Sequence, residues 1–188
     1  MRLRLSLLAL TTVVLVGGTA TSASANHYDH LLAPMTRCGG SSQTNTGLSP
    51  TDQELVMLCM HNRARAKVGR APLGSASLLA SSSDAKTADM IRCRQFTHTA
   101  CGRAMTYHFN RVGYTSCSSW RAGENIAWGS GRYATVRSRM SAWLHSDPHR
   151  RNILSPSYRE AGFGMRVANW PATGARVWTA HFGYRSGC

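Results

Sequence analysis

Apolar residues recur along this chain with two periods, helical over most of its length and alternating near its end. After a polar stretch rich in Ser, Thr, Gly and Asn (26–49), Thr51-Asp52-Gln53-Glu54 has the form of a capping box, and Leu55, Leu58, Cys59 and Asn62 follow at helical spacing. This helix should end near Gly69, with Pro72 confirming the stop. A second helix is expected from about Leu78 to Arg92, with a narrow apolar stripe of Leu78, Leu79, Ala85, Ala88 and Ile91 behind a polar Ser81-Ser82-Ser83 face. A third, from about Ala104 to Val112, is stopped by Gly113. Glu124 to Trp128 reads as a strand, and Ala134 to Leu144 as a helix with Val136, Met140 and Trp143 facing inward. Ala161, Phe163, Met165 and Val167 then alternate with small or charged residues, as Val177, Thr179 and His181 do with Trp178, Ala180 and Phe182, and Pro171 and Gly174 supply the turn of an antiparallel hairpin. Helices first and a hairpin last indicate an α+β domain rather than a βαβ repeat.

One apolar run does not belong to this pattern. Arg2 and Arg4 precede an apolar stretch from Leu5 to Val16, and Ala23-Ser24-Ala25 has the small residues of a cleavage site, so residues 1–25 read as a secretory signal peptide. The stretch is short for a membrane span, and no other run approaches the roughly 20 apolar residues that spanning needs. Residues 26–50 read as a loosely ordered leader and 51–188 as the domain proper. Export changes the meaning of the six cysteines, Cys38, Cys59, Cys93, Cys101, Cys117 and Cys188. An even count in an oxidising compartment implies disulfides, and no C-x-x-C pair argues for a zinc cluster. Cys93 and Cys101 are the closest in sequence and bracket His98, so a bridge between them is expected to order that loop.

Charge narrows the partners. The formal charge of +14 falls to +12 once Arg2 and Arg4 leave, and Lys67 and Lys86 are the only lysines. Such a surface attracts anionic wall polymers or lipid head groups. The arginines are scattered and lack an aromatic-interleaved basic strand, so specific nucleic-acid binding is not expected.

The chemistry centres on Glu124, a lone acid in the apolar run Gly123-Glu124-Asn125-Ile126-Ala127-Trp128. A carboxylate there needs partners, and His98 and His149, both beside turn-forming residues, are the ones on offer. Two imidazoles and a carboxylate at an open cleft suit zinc or another divalent cation, with His98 and His149 as ligands, or a metal-free acid/base pair. They also suit a purely structural knot in which Glu124 pins loops to the sheet. No G-x-S-x-G elbow, H-E-x-x-H helix or phosphate loop is present. His145 lies four residues before His149, but Pro148 between them should break the helix and separate their faces.

Seven short motifs occur in an order that resembles the CAP superfamily, named for cysteine-rich secretory proteins, antigen 5 and plant pathogenesis-related proteins, and in particular its bacterial secreted SCP-like branch. They are His61-Asn62-Arg63-Ala64-Arg65, Phe96-Thr97-His98, Gly123 to Ala127, Trp143 to Ser146, His149 to Leu154, Gly162-Phe163-Gly164 and Trp178 to Gly183. The resemblance implies a three-layer α-β-α sandwich with a central antiparallel sheet and a cleft holding two histidines and two acids. His98 and His149 match the two histidines and Glu124 the strand acid. Where eukaryotic members place a second glutamate, this chain has Ser146 followed by Asp147. The resemblance further implies an extracellular binding module for a lipid, sterol-like or cell-wall ligand. The alternative is a hydrolase using the same His98, Glu124 and His149 cleft, with or without a metal.

Overall fold

The computed structural model describes residues 27–188, and the expected export signal, residues 1–25, lies outside the described residues. Five helices and four strands follow in order: α1 (Pro50–Lys67), β1 (Gly74–Ser75), α2 (Ser77–Cys93), α3 (Tyr107–Arg111), β2 (Ser119–Gly129), α4 (Val136–His145), α5 (Asp147–Leu154), β3 (Glu160–Ala168) and β4 (Ala175–Ser186). The sheet order is β1-β3-β4-β2, antiparallel except for the two-residue β1, which runs parallel to β3. Helices α1, α4 and α5 lie on one face and α2 and α3 on the other, which makes the three-layer α+β sandwich.

The larger core fills the α1 side, with Met57, Met60, Trp143, Phe163, Trp178 and Phe182. Trp143 and Trp178 are both buried there. The segment 27–49, expected to be loose, packs into that core through Leu31 and Ala33 and is tied to α1 by the Cys38–Cys59 disulfide. Its polar composition hid the two apolar anchors.

Two helices present other faces than the apolar stripes suggest. In α1 the buried residues include Val56, Met57, Met60, His61 and Arg65, while Leu55 is 59% exposed. Its cap is Ser49, whose Oγ accepts from the Asp52 amide, because Pro50 takes the first helical position. Thr51 is therefore inside the helix, and Glu54 reaches across to accept from the Met165 amide of β3. In α2 the face read as polar is the buried one: Ser82, Ser83, Lys86 and Thr87 point at the sheet. A Cβ at Gly162 or Gly164 would collide with the α2 backbone from Leu79 to Asp84, so the helix sits directly on β3. At that spacing short hydroxyls fit where larger side chains do not. Ser83 Oγ donates to Gly162 O at 2.9 Å and Thr87 Oγ1 to Gly164 O at 3.0 Å.

The His61-Asn62-x-x-Arg65 motif is a clamp. Arg65, 1% exposed, donates to the carbonyls of Ala71, Ile153, Ser155 and Tyr158, which fixes the end of α5 and the chain leading to β3. Asn62 exchanges two hydrogen bonds with the Leu73 backbone. His61 lies among Trp143, Phe163 and Phe182, and burial lowers its pKa to about 4.

β2 is an edge strand, and its outward carbonyls are capped by side chains. Tyr158 Oη donates to Ala122 O, Asn152 Nδ2 to Glu124 O, Trp143 Nε1 to Ile126 O, and Arg139 to Trp128 O. This blocks strand addition at that edge.

Candidate functional site

The register of the sheet places Glu124 of β2 directly opposite His181 of β4, both on the α2 face. Glu124 Oε2 accepts from His181 Nε2 at 2.9 Å, and Oε1 accepts from His98 Nδ1 at 2.6 Å. Lys86 Nζ stands 4.0 Å from Oε1. Burial alone would raise the Glu124 pKa, but the hydrogen bonds from His181 and His98, with the charges around them, outweigh it and hold the carboxyl at about 2. Glu124 is thus a fixed anion. His181 is fully buried, and burial lowers its pKa, so it is neutral. Its Nε2 then carries the proton given to Glu124, and Nδ1 accepts from Ser82 Oγ at 2.6 Å.

His98 comes from the loop after α2, which two devices hold in place. The Cys93–Cys101 disulfide closes it at its base, as the sequence led us to expect. Lys86, buried to 2% exposure, donates to Thr97 O at 2.9 Å and to His98 O at 2.6 Å. The His98 side chain is half exposed. With Nδ1 committed to Glu124, Nε2 is the ring nitrogen left for a ligand.

His149 lies in the first turn of α5, not in a turn after a helix. Pro148 does separate it from His145, since α4 ends at His145 and α5 starts at Asp147. Asn125 Nδ2 donates to His149 O, and Asn152 Nδ2 to Asn125 Oδ1, which seats α5 along β2. His149 Nδ1 pairs with Ser146 Oγ at 2.8 Å. Burial lowers its pKa, and the charge of nearby His98 lowers it further, so His149 is neutral. Asp147 is directed away, exposed and paired with Arg150. The structure therefore joins His98 to Glu124 and His149 to Ser146. His149 makes no hydrogen bond or ion pair with Glu124 among the described residues.

Among the described residues no group of three or more His, Cys, Asp or Glu side chains is arranged to hold a metal ion. Both Glu124 oxygens already accept from imidazoles, while His98 and His149 each engage Nδ1 and keep Nε2 out of these bonds.

Sequence reasoning passed over Lys86, and it singled out His181 on the last strand only as a core or cleft-wall histidine, not as the partner of Glu124. The signal for Lys86 was its rarity as one of two lysines, set among alanines on a buried helix; for His181 it was the hairpin register that the alternation pattern leaves undetermined.

The chain matches the family model described as CAP, Cysteine-rich secretory protein family, over residues 58–182. The chain belongs to the CAP family. It is 30% identical over 166 residues to the uncharacterized protein YkwD of Bacillus subtilis, covering 87% of this chain and 60% of that protein. The CAP fold is shared with an extracellular SCP-domain protein of Bacillus anthracis (TM-score 0.56, 20% identity, 76% of this chain and 45% of that one). It is shared also with an outer surface protein of Borrelia burgdorferi (TM-score 0.61, 16% identity, 74% of this chain and 97% of that one). A cysteine-rich secretory protein of Staphylococcus aureus matches with a TM-score of 0.53 at 20% identity, covering 73% of this chain and 40% of that one. The chain spans about three fifths of YkwD's length, and less than half of the Bacillus anthracis and Staphylococcus aureus chains.

Proposed function

We propose that this CAP domain is exported by residues 1–25 and acts outside the cell as a binding module, its cleft taking a wall or lipid component through hydrogen bonds to His98 and His149. The observation that carries this reading is the state of Glu124. A carboxyl held at about 2 with both oxygens occupied neither takes nor gives a proton near neutrality, so it serves as an anchor and not as a general acid or base. The imidazoles it leaves at the cleft, a half-exposed His98 and a neutral His149, are ready donors and acceptors for a polar head group or hydroxyl-rich polymer. The extracellular setting is supported by three disulfides with no free cysteine, and by neighbours described as extracellular or outer surface proteins. No helix among the described residues is long and apolar enough to cross a membrane.

The test is cosedimentation of the protein with isolated cell-wall sacculi and with vesicles of anionic lipid, with and without sterol, at low and high salt. His98→Ala combined with His149→Ala should remove the salt-resistant part of the binding. Retention that salt alone abolishes, equal in both proteins, would reduce the interaction to the net positive field. Turnover of ester or peptide substrates that the double variant loses would replace binding by hydrolysis.

A further inference from the structure

The two edges of the sheet are unlike. β2 is closed by four side chains, whereas β3 has no strand beside it among the described residues once β1 ends at Ser75; Phe163 and Met165 are 5% and 2% exposed there, and Val167 is 58% exposed. Beyond Ala161, the residues whose backbone groups turn outward are Phe163, Met165 and Val167, alternate to those paired with β4. Among the described residues only one of these groups is satisfied, the Met165 amide, by Glu54 Oε1 at 2.9 Å. A groove of about 570 Å3 runs over this edge, between the first turn of α1 and the outer side of α2.

The groove also carries a charge anomaly. Lys and Arg outnumber Asp and Glu by 22 to 8. Among the described residues six of the eight acids lie within ion-pair distance of a basic side chain; Asp52 and Glu54 do not. Asp52 is exposed and bonded to Ser49. Glu54 is partly buried, with Asp84 of α2 as its charged neighbour, and burial followed by that repulsion raises its pKa to about 7 despite the Met165 amide. Asp84 is itself spent on a bidentate pair with Arg166. In a chain with so many cations, a carboxylate left without one beside an open strand edge is complementary to a cation from outside.

We propose that the β3 edge is a second binding site, separate from the histidine cleft, at which an extended peptide adds as a strand and places a lysine or arginine side chain against Glu54. The backbone of the peptide pairs with the outward groups of Phe163 and Val167, and its cation supplies the partner that Glu54 lacks. The proposal does not depend on the ligand of the histidine cleft.

The probe is a capped hexapeptide of alternating valine and threonine with one central lysine, titrated into the 15N-labelled protein beside a control with glutamate in the lysine position. The lysine peptide should shift the amides of Phe163, Met165 and Val167 and leave those of His98 and His149 unmoved, and the glutamate peptide should bind at least tenfold more weakly. Glu54→Gln keeps an acceptor for the Met165 amide and should weaken the lysine peptide by about tenfold, the equivalent of roughly 1.4 kcal/mol. Val167→Pro removes an outward N–H without touching the β4 ladder and should abolish binding; if that variant misfolds, the Glu54→Gln arm still decides. Equal affinity for the two peptides, an unchanged affinity in Glu54→Gln, or absence of shifts at the β3 amides would overturn the proposal. A dimer that Val167→Pro dissociates would overturn it in favour of a second copy of the chain.

Discussion

Glu124 is charged, buried and held by two imidazoles, so its replacement tests the site at its most sensitive point. Glu124→Gln leaves His181 and His98 facing an amide that cannot satisfy both as acceptor, and stability measured by urea unfolding at neutral pH should fall by roughly 3 kcal/mol. Because the folded pKa lies below the unfolded one, the contribution of Glu124 is complete above about 4.5 and is lost as pH falls toward 2. Lys86 positions rather than binds. Lys86→Met leaves Thr97 O and His98 O without their donor, and amide exchange in residues 94–100 should accelerate while that of β4 is unchanged.

The elements show which features a linear pattern reveals. The hairpin and the inward face of α4 follow from period alone, since Val136, Met140 and Trp143 bury apolar surface in the usual way. The face of α2 does not. Its orientation is set by Gly162 and Gly164, some 80 residues later, which admit the helix so closely that serine and threonine become interface residues. The motif order and the lone Glu124 direct attention to His98, Glu124 and His149, of which the structure joins His98 to Glu124 and His149 to Ser146. The pairing of Glu124 with His181 instead of His149 depends on strand register, which no local signal carries. Arg65 is likewise unreadable as a core residue until its four carbonyl partners are seen. Its planar fork meets several acceptors at once, so Arg65→Lys should destabilise α5 and the approach to β3 nearly as much as Arg65→Met, by about 3 kcal/mol in thermal or urea unfolding.

Two properties belong to the whole molecule. Chain-entropy arithmetic gives roughly 2.6 kcal/mol for closing the short Cys93–Cys101 loop and roughly 4.4 kcal/mol for the Cys117–Cys188 loop, whose ends are 71 residues apart. The paired Cys→Ser variant of Cys117–Cys188 should therefore unfold at lower denaturant than that of Cys93–Cys101, while the Cys93–Cys101 variant shows the larger change at His98. Acid stability has two stages. His61 takes up its proton only on unfolding, so stability declines as pH falls from 6.5 to about 4, by at most about 3 kcal/mol, before Glu124 begins to contribute its own loss. His61→Gln should remove its share of the upper stage in a pH series of urea midpoints, leaving the shares of the buried His181 and His149 and the lower stage in place.

The glycine seat of α2 also decides how the cleft can adapt. A helix resting on bare backbone, and fastened there by hydroxyls to two carbonyls, has no side-chain layer in which to slide. The wall that carries Ser82 and Lys86 is accordingly stiff, and Glu124 and His181 behind it share its rigidity. The opposite wall is a helix of two turns that begins after a break at Ser146 and is held to β2 by Asn125 and Asn152. On the proposed binding role, fitting ligands of different girth would fall to α5, which carries His149, and not to α2.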